Sequence, residues 1–161
     1  MDIRKATPED LPVIRQIFAE AREYMRAHGN PNQWVNGYPQ DERILMDMEL
    51  GACNVCLENG EILGVFSYFP GPDPTYAYIE DGAWPDDRSY GVIHRIAVRS
   101  HRKGIASFCY DYALSQCPVL RIDTHHDNLP MQNSLRKNGF VRCGVIFLAN
   151  GAPRVAFYKS K

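Results

Sequence analysis

The run His101-Arg102-Lys103-Gly104-Ile105-Ala106 places three basic side chains directly before a glycine and a helix-forming stretch. A helix N-terminus presents unpaired backbone N–H groups and the positive end of the helix dipole, so it holds anions, phosphates above all. Gly104 lets a ligand approach the backbone without a Cβ in the way. Arg102 and Lys103 add charge suited to a pyrophosphate, and Ala106 is small enough to keep the space open. A solvated basic loop has the same composition, and this segment alone leaves both readings standing. Just upstream lies His94, in an apolar run. Histidine is the side chain that titrates near neutrality, so His94 can relay a proton or be a hydrogen-bonded strand residue. Glu80 and Asp81 stand further upstream in an irregular segment, where they can take a proton, hold an ammonium or be solvated.

Two other groups need weighing. His125-His126-Asp127 has metal-ligand types, but adjacent residues leaving a strand are expected to point apart, which argues against a metal site. Cys53-Asn54-Val55-Cys56 spells CxxC. It leads into a strand and turn rather than a helix, so the two thiols are expected on opposite faces. Five cysteines is an odd number without framework spacing, and reduced thiols are expected.

The elements that must position these residues follow from the pattern. Asp2 to Ala6 reads as a strand. Thr7 as N-cap, Pro8 at the first helical position and Asp10 closing a capping box start a helix. Leu11, Ile14, Ile17, Phe18, Ala21 and Met25 continue it, and Gly29 ends it. Asn30 to Gln40 is a loop carrying Trp34 and Tyr38, and a shorter helix spans Asp41 to Leu50. Strands Cys53 to Leu57 and Ile62 to Phe69 form a hairpin on Asn59-Gly60, a pair suited to a type I′ turn. Pro70 to Pro74 breaks the second strand, and an irregular stretch with Trp84 runs to Ser89. Then come a strand (Val92 to Val98), a helix (Ile105 to Cys117), a strand (Leu120 to Thr124) and a helix (Met131 to Asn138). Two strands near Phe140 to Leu148 and Arg154 to Tyr158 close the chain. The order β-α-α-β-β-β-α-β-α-β-β implies an α/β or α+β sandwich over one core.

The six residues from His101 to Ala106 resemble the Q/R-x-x-G-x-G/A signature of the GNAT N-acetyltransferase superfamily. Asn128, Lys137, Gly139 and Phe140 resemble its later motif, an Asn before a helix ending in Lys-x-Gly-Phe. The element order is similar over essentially the whole chain. The resemblance implies a GNAT fold over residues 1–161, with a mixed sheet of about seven strands flanked by about four helices. It implies an acetyl-CoA-dependent N-acetyltransferase, acting by direct attack of an amine on the thioester, with no metal. The loop from His101 to Ala106, together with Asn128, would hold acetyl-CoA. A backbone N–H of Ile96, Ala97 or Val98 would serve as oxyanion donor beside the pantetheine arm. Trp34, Tyr38 and Trp84 lie in loops that flank the acceptor site in this family, and Glu80 and Asp81 lie where many members place the base or bind the amine. With period 2, His94 shares a face with Ile96 and Val98 unless a bulge intervenes. The chain departs from the family at His101, where Arg or Gln is usual, and at Leu135, where a Tyr often protonates the CoA thiolate. That second departure keeps open an acyl-CoA-binding module with little turnover.

Bulk properties agree. A chain of 161 residues suits one domain, and 45% hydrophobic with 23% charged residues is ordinary for a globular protein. A formal net charge of -1 argues against a general nucleic-acid binder. No signal-peptide pattern and no membrane-length apolar run is present, so a soluble, cytoplasmic protein is expected. The expected partners are acetyl-CoA and an amine, with no nucleic acid or membrane; a homodimer stays open, and the acceptor is not identified.

Overall fold

Thr7-Pro8-Glu9-Asp10 starts the first helix by capping chemistry: the Thr7 N–H donates to the Asp10 carboxylate at 2.8 Å, and the Asp10 N–H to the Thr7 carbonyl at 2.9 Å. Arg4 adds a two-pronged bond to the same carboxylate at 2.7 and 3.0 Å. The turn at Pro8–Asp10 is 3-10 rather than α, and the α-helix proper begins at Leu11. The computed structural model describes residues 1–99 and 103–161.

In chain order the elements are β1 (Asp2–Lys5), α1 (Leu11–Ala27), α2 (Asp41–Glu49), β2 (Cys53–Glu58), β3 (Glu61–Pro70) and β4 (Gly91–Val98). They continue with α3 (Ile105–Gln116), β5 (Val119–Thr124), α4 (Leu129–Lys137), β6 (Val141–Phe147) and β7 (Pro153–Ser160). A second 3-10 turn, Pro74–Tyr76, precedes β4. The seven strands form one mixed sheet, ordered β1-β2-β3-β4-β5-β7-β6, in which only β4 and β5 run parallel. Asn59 and Gly60 have φ of 52° and 80°, as the expected I′ hairpin requires. No helix among the described residues is long and apolar enough to cross a membrane.

Each face of the sheet has its own core. Ile14, Ile17 and Phe18 of α1 and Ile44 of α2 pack on Cys53, Val55, Val65 and Ala97. Ile14 and Ile17 are fully buried, each contributing about 1.5–3 kcal/mol of hydrophobic stabilisation. On the other face α3 and α4 cover Phe66, Ile93, Leu120, Ile122 and Phe157. Cys53 lies in the first core and Cys56 in the second, the opposed arrangement expected for a strand, and both are free thiols.

Two irregularities in β4 prepare the site. Against β3, Ala97 pairs with Val65 and His94 with Ser67, so Arg95 and Ile96 together oppose Phe66. This is a β-bulge, with Arg95 at φ 53°. The extra residue inverts the alternation. Ile93, Ile96 and Val98 all pack toward α3, and His94 therefore lies on the face opposite Ile96 and Val98, not with them as strict period 2 expects. The second irregularity is that β4 and β5 pair only at Gly91 with Leu120 and Val92 with Arg121. From Ile93 onward the β5 side of β4 has no ladder partner among the described residues.

Candidate active site

Where β4 leaves β5, a slot of about 230 Å³ opens between the end of β4, α1, α3 and the start of α4. Ile96, Ala97 and Val98 form one wall, Ala106 and Tyr110 another, and Asn128, Pro130 and Met131 the third. Gly104 precedes α3 at φ 84°, a left-handed conformation that favours glycine, and a Cβ there would meet nothing closer than Met1 Cε at 4.0 Å. Lys103 and Gly104 are exposed and Ala106 half-buried, whereas the Ile105 side chain is buried in the core and offers the slot only its backbone. His101 and Arg102 lie outside the described residues.

The slot runs into a larger cleft of about 870 Å³; Met25, Ile96, Asn128 and Met131 line both. Trp34, Tyr38 and His94 line the large cleft. The His94 Nε2 lies 2.9 Å from the Asp73 carboxylate. Asp73 is itself fixed, accepting from the Thr75 N–H at 2.9 Å and the Thr75 hydroxyl at 2.7 Å as cap of the 3-10 turn. Burial pushes the Asp73 carboxyl up, but hydrogen bonds from His94 and Thr75 outweigh it and hold it at about 2. Deeper in the cleft, Asp123 accepts from the buried Tyr76 hydroxyl at 2.7 Å. Burial raises its carboxyl, with His94 and the Tyr76 hydroxyl pulling the other way. The cleft thus sets two carboxylates of unlike proton affinity beside one imidazole.

A second network holds this wall in place. Asp47 of α2 is 1% exposed and takes Arg95 at 2.7 and 3.1 Å, Arg43 at 3.0 Å and the Ser67 hydroxyl at 2.7 Å. Arg95 also donates to the Tyr38 hydroxyl at 3.1 Å, tying the loop over the cleft to the bulge beneath it. The same loop is pinned elsewhere. The Asn128 amide donates to Gln33 at 2.9 Å, while its oxygen caps α4 by accepting from the Met131 N–H at 3.1 Å.

Three expected residues stand apart. Glu80 pairs by backbone with Val145, and its exposed carboxylate accepts from Tyr78 at 2.8 Å. Asp81 is exposed and ion-paired with Arg142 at 2.8 Å. The physical reason is a close backbone crossing: a Cβ on Gly144 would lie 2.5 Å from the Glu80 carbonyl, so this segment is laid on β6, away from His94. Trp84 packs 5.4 Å from Tyr76, donates to the Tyr76 carbonyl at 2.9 Å and stacks on Arg121 at 4.3 Å. None of these three lines the large cleft; Trp84 closes a small core.

His125, His126 and Asp127 correct another expectation. A turn closed by the Asn128 N–H on the His125 carbonyl folds them together, so the rings stack at 4.2 Å and the possible ligand atoms lie within 4.8 Å of one another. The His125 pKa is lowered by burial and by the charges of His126 and Arg154, and its Nδ1 already accepts the Asp127 N–H at 3.0 Å. Leu135, where the resemblance leads one to look for a phenol, is fully buried under the sheet. Asp73, Asp47 with Arg95, and Arg154 were not singled out from the sequence. Asp73 was visible only as one residue of a Pro-Gly turn, and the others as strand or helix charges.

The model for the Acetyltransferase (GNAT) family matches residues 14–140. No curated protein matches the chain. A crystal structure of a GNAT-family acetyltransferase from Streptococcus agalactiae is 31% identical, covering 99% of this chain and 95% of that one, with a TM-score of 0.90. A Staphylococcus aureus protein assigned to the acetyltransferases is 26% identical, covering 99% of both chains, with a TM-score of 0.71. The fold alone is shared with a ribosomal-protein-alanine N-acetyltransferase from Brucella melitensis, 20% identical over 100% of both chains with a TM-score of 0.64. A family match across most of the chain joins the mixed seven-stranded sheet, the parted β4 and β5 and the glycine-led helix: the chain belongs to the GNAT acetyltransferase family and is an acyltransferase.

Proposed function

We propose that residues 1–161 act as one N-acetyltransferase unit that moves the acetyl group of acetyl-CoA onto a primary amine by direct attack. The observation that carries this reading is the His94–Asp73 pair at 2.9 Å in the wall of a cleft continuous with the slot beside β4. The slot fits a pantetheine arm: it is narrow, largely apolar, and flanked by β4 backbone that has no β5 partner. Backbone N–H groups of Ile96, Ala97 and Val98 would hold that arm and serve as oxyanion donors. Lys103, Gly104 and the backbone of Ile105 at the start of α3, with Ala106 and the Asn128 end of α4, would hold the rest, and His101 and Arg102 complete the loop in sequence. Bound acetyl-CoA supplies an activated acyl group.

The chain's own part is to deliver a neutral amine. An ammonium cannot attack, so it must first lose a proton. Asp73 orients the imidazole of His94, as a carboxylate does for a catalytic histidine. Trp34 and Tyr38 shape the acceptor's approach. Glu80, exposed and bonded to Tyr78, is left without this role. Leu135 favours one second reading, a CoA-binding module without turnover, because a fully buried leucine donates no proton.

A thiol-release assay with acetyl-CoA and a broad amine panel separates the two readings. Turnover with at least one amine is expected. His94→Gln should lower kcat about 10²- to 10⁴-fold with acetyl-CoA binding kept, and remove the acidic limb of the pH–rate profile. Turnover within a few-fold of wild type would make the histidine structural.

A further inference from the structure

The buried arginines of this protein differ in how their charge is held; the Arg121 Nε, like those of Arg43 and Arg99, has no hydrogen-bond partner among the described residues. Arg95 is held by Asp47, and Arg121 lies on Trp84 and Tyr90 at 4.3 and 4.0 Å and donates to the Asp86 carbonyl at 2.9 Å. Arg154 is 8% exposed and lines the large cleft, yet its one hydrogen bond within the described residues runs to the carbonyl of its neighbour Pro153, at 2.9 Å. No carboxylate among the described residues lies within 4 Å of it. Burial lowers its pKa, with only the field of Asp123 opposing. An unpaired buried charge is costly, and proteins retain one where a ligand completes it.

We propose that the acceptor is a small amine that also carries a carboxylate, and that Arg154 binds that carboxylate. The inference rests on the acetyl-transfer reading and deepens it. A guanidinium matches a carboxylate as a planar two-pronged donor. Placement supports the pairing. Asp123 of β5 is opposite Ala156 of β7, and Arg154 lies two residues along β7 on the same face, so the two are diagonal neighbours. An ammonium beside Asp123, Asp73 and His94 therefore has its own carboxylate directed to Arg154. A dianionic phosphate fits less well, because Asp123 stands next to the single guanidinium that would have to neutralise it.

The test is thiol release at saturating acetyl-CoA with free L-amino acids, each paired with its carboxamide, and with phosphoethanolamine. Wild type should favour at least one acid over its carboxamide by on the order of 10- to 100-fold in kcat/KM, the value of a hydrogen bond to a charged group. In Arg154→Gln that ratio should fall to near one through KM, and Arg154→Lys should recover part of it; thermal melts establish that both variants fold. Equal use of acids and carboxamides, a preference that survives Arg154→Gln, or a preference for phosphoethanolamine overturns the proposal while acetyl transfer stands. If no amine releases thiol although acetyl-CoA binds, the acetyl-transfer reading fails. Calorimetric titration of the same acids then decides for Arg154: binding to wild type but not to Arg154→Gln supports the site, and no binding overturns it.

Discussion

Asp73→Asn isolates the pair at the centre of the cleft. The asparagine oxygen can still accept from the Thr75 N–H, so the 3-10 turn keeps its cap, but the negative charge facing His94 Nε2 is gone. Asp73 titrates at about 2 in the folded protein against an ordinary 3.8, with its side chain 16% exposed. A folded pKa below the unfolded one means stability that is present above the unfolded value and lost as pH falls through the folded one. The difference of nearly two units corresponds to about 2 kcal/mol at neutral pH, falling by about half by pH 3. Urea denaturation of wild type and Asp73→Asn from pH 3 to pH 8 measures it directly. At pH 7 the midpoints should differ by about 1 M, given slopes of roughly 1–3 kcal/mol/M. The gap should close on acidification, from the wild-type side. A difference of the same size at pH 3 and pH 7 would refute the reasoning, since the mutation would then act by packing rather than by charge.

Asp47→Ala should cost about 3–5 kcal/mol in chemical denaturation, because it strands Arg95 and Arg43 in a buried wall; a loss under 1 kcal/mol would show that Arg95 finds another partner. Trp84→Ala should lower Tm by roughly 6–12 °C, about 3 kcal/mol for a chain of this size, and leave the amine KM within two-fold. Trp34→Ala should do the opposite, raising the amine KM several-fold in steady-state kinetics with a smaller change in Tm. Identical behaviour of the two variants would put both rings in one role.

Most of the fold was legible because its signals are local. Asn59-Gly60, the Thr7-to-Asp10 box and the apolar spacing of Ile14, Ile17 and Phe18 each act within a few residues, and each appears where expected. The Gly104 turn before α3 was legible for the same reason, as a glycine at a helix start. The acceptor side was not, because its chemistry is assembled across the sheet. Asp73, Asp123 and Arg154 come from a turn and two strands, and nothing in the spacing of one predicts the others. Glu80 and Asp81 are more acidic-looking candidates in sequence, yet the crossing at Gly144 takes their segment to β6. His94 sat in the right strand but on the other face, because one bulge residue, Arg95, carries no sequence mark of its left-handed conformation. Arginine there is held by Asp47 from another helix, a long-range cause that local reasoning cannot supply.

That bulge also bears on how the family can change. A strand normally tolerates insertion or loss of a residue poorly at its centre and better at its ends. In β4 the extra residue acts as a frame: before it the even-numbered His94 faces the acceptor cleft, and after it the even-numbered Ile96 and Val98 face α3. Deleting Arg95 alone would remove the bulge and leave His94, Ile96, Ala97 and Val98 on their present faces, at the cost of the bonds to Asp47, whereas a deletion elsewhere in β4 would turn one side of the strand to the wrong layer. Length variation should therefore be excluded from β4 except at Arg95, and admitted in the exposed segment before Gly91. A deletion scan scored by soluble expression should show β4 intolerant except at Arg95, and deletions tolerated across β4 would show that the frame can be reset.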